Sequence, residues 1–133
     1  MKHVKYLFAL LIMVMVLAGC QKVSDTRLEF CNSLREVGTL SVEFKEAKVD
    51  QPVDEFRTKV ESLQQRRQNL ERLARITSFE GLDRLVAAID AVALAVTEVS
   101  GNTLGPAVEK INAAGAALET VYLELDNAFC SAK

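Results

Sequence analysis

The stretch from Val108 to Cys130, VEKINAAGAALETVYLELDNAFC, decides the fold. Val108, Ile111, Gly115, Leu118, Tyr122, Leu125 and Phe129 recur at alternating spacings of three and four, which places them on one side of a helix. A half-buried strand would alternate apolar and polar residues at every second position, and no such run occurs in the chain. The segment begins near Thr103 to Pro106, after the turn signal Ser100-Gly101-Asn102, and runs to about Cys130.

The same periodicity extends upstream. Leu82, Leu85, Ile89, Val92, Val96 and Val99 form the inner side of a third helix ending near Val99. Thr77, with Glu80 three residues on, has the pattern of a capping box that would start it. A second helix buries Val53, Phe56, Val60, Leu63, Leu70 and Ala74 and ends on Arg72 and Arg75, the charge sign a helix C-terminus favours. Asp50 or Gln51 is the expected cap, with Pro52 at the first helical position. A first helix, capped by Ser24-Asp25, runs to about Lys48 with Phe30, Leu34, Val37, Ser41 and Phe44 inward. Four helices of similar length joined by short loops predict an all-α, antiparallel up-down-up-down four-helix bundle. The alternative is a three-helix arrangement with a fused or frayed first segment.

Composition narrows the function. The chain has 133 residues, is 50% hydrophobic, and carries sixteen basic and eighteen acidic residues. That balance excludes a strongly basic nucleic-acid binder, and the length suits one domain.

The first twenty residues are of a different kind. Lys2, His3 and Lys5 precede an uninterrupted apolar run, Tyr6 to Leu17, which ends at Leu17-Ala18-Gly19-Cys20. A positive start, a core of about a dozen apolar residues and a small-residue exit make a cleaved secretory signal, too short for a membrane span of roughly 20 residues. Leu17-Ala18-Gly19-Cys20 resembles the lipobox of bacterial lipoproteins. The resemblance covers residues 1–20 only, and residues 21–133 carry no recognised family pattern. It implies cleavage after Gly19 and acylation, including palmitate, of Cys20, so that the protein is exported and held on the bacterial membrane by lipid. Two or three acyl chains anchor stably where one is marginal. Gln21 in place of the Asp that favours inner-membrane retention points to the outer membrane, facing the periplasm, in a Gram-negative cell. The domain plan is therefore 1–19 signal peptide, 20–24 lipidated N-terminus and tether, and 25–133 one helical-bundle domain. The competing possibility is an ordinary cleaved signal followed by an incidental cysteine.

Removing residues 1–19 takes Lys2, Lys5, every Met and the only His, and leaves 114 residues with 14 basic and 18 acidic side chains. Without His there is no Ser-His or Cys-His pair and no His general base. Di-iron and haem bundle ligand sets are likewise missing, and no Gly-rich phosphate loop is present. No catalytic residues, cofactor or metal are expected. Glu119, Glu124 and Asp126, at helical spacing, suit a solvated face better than a metal site.

With Cys20 assigned to lipid, Cys31 and Cys130 remain. An up-down-up-down order brings the start of the first helix beside the end of the fourth, which predicts a Cys31–Cys130 disulfide in an oxidising compartment. Two free buried thiols are the alternative. The same end is expected to receive Arg66, Arg67, Arg72, Arg75 and Arg84, either as a basic patch for anionic headgroups or as a solvated face. Arg67 falls inside the second helix's apolar stripe, where it would snorkel or pair with a carboxylate such as Asp90. Ala87, Ala91 and Ala95, with Ala113, Ala116 and Ala117, form a small-residue set on the third and fourth helices. It would serve close helix packing, a groove for a partner helix, or a homodimer face. The expectation is a non-catalytic interaction or structural module of the envelope with a protein partner and no nucleic acid. An immunity, inhibitor or exclusion lipoprotein against a toxin, enzyme or phage is one alternative, and a small-ligand carrier is another.

Overall fold

A computed structural model describes the backbone over residues 2–77 and 79–131, with side chains over 24–77 and 79–131. The protein is all-helical. Helix α1 spans Lys2–Lys45, α2 Val53–Thr77, α3 Leu82–Thr97 and α4 Val108–Leu125. A 3₁₀ turn, Gly105–Ala107, leads into α4, and a π-helical turn, Asp126–Cys130, continues it. The four helices form a bundle in which α1 packs on α2 and α4, and α3 packs on α2 and α4.

The stripes read from the sequence are the core. Phe30, Leu34, Val37, Ser41 and Phe44 of α1 are all buried, as are Leu85, Ile89, Val92 and Val96 of α3. On α4, Val108, Ile111 and Leu118 are buried, while Tyr122, Leu125 and Phe129 pack against the core half-buried. Gly115 holds its place in the stripe for a steric reason. A Cβ there would lie 2.5 Å from the backbone nitrogen of Lys45, so only glycine lets α4 reach the end of α1. One turn earlier, Asn112 donates to the carbonyls of Phe44 (3.0 Å) and Ala47 (3.1 Å), joining the Ala47 N–H on the first of them (3.3 Å) and tying α4 to the backbone where α1 ends.

Three helix starts differ from the sequence expectation. Helix α1 runs unbroken through Ser24 and Asp25, so this pair caps nothing. Both are exposed, and no Gly or Pro interrupts the chain there. The α2 start uses neither Asp50 nor Gln51 as a cap. Gln51 accepts a hydrogen bond from the Lys48 N–H (2.7 Å), Pro52 bridges to Thr103, and Val53 N–H donates to the Asn102 carbonyl (2.9 Å). The connection between α3 and α4 thus supplies an acceptor that a capping side chain would otherwise provide. Thr77 does not open α3 either. It is the last residue of α2, its hydroxyl donates to the Leu73 carbonyl (3.0 Å), and α3 begins after Gly81 at φ 92°. Burial of Phe79 overrides the capping box by pulling the connection against the core.

Ion pairs tie the helices together. Glu29 meets Arg72 (2.9 Å), Glu36 meets Arg66 (2.5 Å) and Glu43 meets Lys59 (3.0 Å) between α1 and α2. Arg67 reaches Asp90 across α2 and α3, as its place in the stripe predicts. Arg84–Glu124 (2.7 Å) and Lys110–Glu98 join α3 to α4. Lys45–Glu119 (2.6 Å) joins α1 to α4. Burial draws the Lys59 ammonium down, but its bonds to Glu55 and Glu43 outweigh this and leave its pKa raised.

Candidate functional site

Cys31 and Cys130 are joined by a disulfide, S–S 2.07 Å and Cα–Cα 5.6 Å, closing a sequence separation of 99 residues. The π-helical turn carries Cys130 to the second turn of the bundled part of α1. Phe129, its neighbour, stacks edge-on against Phe30 (centroids 5.2 Å) and Phe79 (4.6 Å), and Phe30 lies 4.7 Å from Phe79. Arg27 lies over the Phe129 ring at 4.9 Å and donates to the Phe129 carbonyl. The disulfide and the three rings therefore close one end of the bundle, drawing on α1, the α2–α3 connection and the C-terminal turn.

Beside this end, the Tyr122 ring covers Gly38, where a Cβ would come within 2.4 Å of it. Asp126 turns one carboxylate oxygen to the Ser131 hydroxyl (2.9 Å) and lies 3.9 Å from Arg35. Burial, reinforced by the Asp126 charge and opposed by Arg35, raises the pKa of the Tyr122 phenol. The grouping holds the last turn of α4 against α1.

The five arginines do not gather into one basic patch. Arg66 and Arg67 lie along α2, away from its end. Arg66, Arg67, Arg72 and Arg84 each face a carboxylate of a neighbouring helix. Arg75 alone of the five has no carboxylate partner among the described residues, and it lines a surface groove with Glu71, Phe79, Leu82 and Asp83. Local charge counting saw the bases but not the acids that topology sets opposite them.

The alanines divide in two. Ala87, Ala91, Ala113 and Ala117 are exposed and Ala116 is half-buried, while Ala95 is buried at 1% exposure and belongs to the core. Residues four apart on a helix drift by about 40° per step, so Ala95 has rotated inward relative to Ala87. Between α3 and α4 the exposed alanines sit with Leu94, 56% exposed, in a face whose ends are the Arg84–Glu124 and Lys110–Glu98 pairs. Sequence reasoning missed Leu94, although an apolar residue at an outward position of a helix is a legible signal.

Cys20 and the signal-like run lie outside the residues whose side chains are described. Among the described residues, no helix is long and apolar enough to cross a membrane. None of their His, Cys, Asp and Glu side chains form a group of three or more able to hold a metal ion. Set against known proteins, the chain matches no family model, no curated protein and no solved structure.

Proposed function

We infer that the chain is a lipid-anchored bacterial envelope protein whose signal is cleaved before Cys20 and whose stapled bundle works as a non-catalytic interaction or structural module. The exposed apolar face of Ala87, Ala91, Leu94, Ala113 and Ala117 carries the interaction role, because apolar side chains left together outside a well-filled core favour a partner surface. Phenylalanines and aliphatic side chains occupy the interior, which favours a docking module over a ligand carrier. The anchor rests on the lipobox-like ending of the apolar run. An up-down-up-down order is supported by the ion pairs: Glu29, Glu36 and Glu43 ascend α1 while their partners Arg72, Arg66 and Lys59 descend α2. In this arrangement Cys20 leaves the bundle at the disulfide end, and Gln21 favours the outer membrane. The test is metabolic labelling with a fatty acid in a bacterial host. The wild-type chain is expected to label and to sediment with membranes, and Cys20→Ser to do neither. A wild-type chain that stays unlabelled in the soluble fraction refutes the anchor.

A further inference from the structure

The outward face of α3 and α4 has a charge pattern that the sequence order hides. Arg84 stands near the start of α3, and Glu98 follows its last residue. On α4, Glu124 stands beside Arg84 and Lys110 beside Glu98. The four corners therefore alternate in sign around the face. A two-fold rotation about an axis lying in that face, along the helices or across them, sets each base of one copy over an acid of the other. Opposite charges meeting at the rim give register and specificity to an interface. Inside the rim Ala87, Ala91, Ala113 and Ala117 are exposed, and small side chains let helices of two copies approach closely. Ala91 lies two turns from Arg84, and Ala117 two turns from Glu124, so the two alanines stand side by side at the centre. Leu94, one turn on from Ala91, is the apolar projection that a facing alanine can accommodate.

We propose that this face binds a second copy of the same chain, with the two-fold axis along the helices so that α3 of each copy lies over α4 of the other. The choice of axis rests on the lipid anchor of the proposed function: two copies held in one membrane must keep their Cys20 ends on the same side. In this pairing Arg84 meets the partner's Glu124, Glu98 meets the partner's Lys110, and Ala91 meets the partner's Ala117. Two helices of this length side by side offer a footprint of roughly 500 Å² per copy, about 24 Å by 20 Å. Some 1,000 Å² in total is at the threshold for a specific interface, roughly 1,000 Å². Confinement to one bilayer raises the effective concentration, which is how a surface of this size becomes occupied.

The test uses the full-length chain in bacterial membranes. Two differently tagged copies are produced together, one carrying Ala91→Cys and the other Ala117→Cys, both at exposed positions. After mild oxidation, a mixed dimer carrying both tags is expected severalfold above that formed by copies carrying Thr58→Cys on the outward side of α2. Ala91→Cys alone should cross-link weakly, because the axis along the helices keeps the two copies' Ala91 apart. Adding Leu94→Glu to both copies should abolish the mixed dimer while far-ultraviolet circular dichroism stays unchanged. A mixed dimer no stronger than the Thr58→Cys control overturns the proposal, as does a dominant dimer of Ala91→Cys with itself. Fatty-acid labelling of the same samples separates the two ideas. A labelled chain without the mixed dimer refutes the surface and leaves the anchor standing, and a mixed dimer of an unlabelled chain does the reverse.

Discussion

Opening the Cys31–Cys130 bond is the most informative perturbation of this bundle. The bond spans 99 residues of sequence, and for a loop of about 100 residues the chain-entropy model gives about 4.7 kcal/mol of stabilisation at 25 °C. Small domains have a total stability of roughly 5–15 kcal/mol, so the reduced chain should lie close to unfolding at the lower limit. With a urea slope of about 1.5 kcal/mol per molar, the unfolding midpoint should fall by about 3 M. The slope itself should rise, because an unlinked denatured chain exposes more surface. The assay is urea unfolding of the lipid-free bundle followed at 222 nm, comparing the oxidised form with Cys31→Ala/Cys130→Ala. The Phe129 ring contact and the Arg27 bond to the Phe129 carbonyl do not involve sulfur, so losses beyond the entropy figure should be small. A midpoint shifted by less than about 0.5 M would refute the loop-closure reasoning. If hydrogen exchange then quickened only over residues 126–131, the bond would be a local fastener of the last turn.

Two further outcomes follow from particular contacts. Gly115→Ala should destabilise the bundle by about 1–3 kcal/mol in the same urea assay, because its Cβ would collide with the backbone at Phe44 and Lys45; overpacking here outweighs the roughly 1 kcal/mol that alanine gains in helix propensity. Tyr122 has a raised pKa in the fold, so its contribution is complete below the ordinary phenol value near 10 and is lost as pH rises through the folded value. Thermal melts from pH 8 to 11 should therefore show a steeper alkaline loss for wild type than for Tyr122→Phe, and parallel curves would contradict the assignment.

The helix interiors were legible in the sequence because each stripe repeats at helical spacing, and Phe30, Leu63, Ile89 and Ile111 are all buried where that spacing puts them. The Cys31–Cys130 pairing was legible for a topological reason, since adjacent first and last helices bring distant cysteines to one end. The helix starts were not. Local patterns such as Thr77 with Glu80 compete with tertiary burial, and Phe79 wins by packing against Phe30 and Phe129. The partners of Arg66, Arg72 and Arg84 were equally hidden, because Glu36, Glu29 and Glu124 come from other helices. Asp90 was foreseen for Arg67 only because that arginine interrupts an apolar stripe. Of the alanine set, Ala95 serves the close-packing reading and not the partner face, because spacing by four drifts around a helix and turns it inward.

The covalent ring closed by Cys31 and Cys130 also changes what a peptidase can achieve. A cut in any exposed connection between those residues, at Lys48 or Glu80 for instance, leaves both pieces linked through sulfur and still packed around the same core. With the anchor proposed above at Cys20, the whole bundle would then stay at the membrane after a nick, and release would need a second chemical event, reduction of the bond.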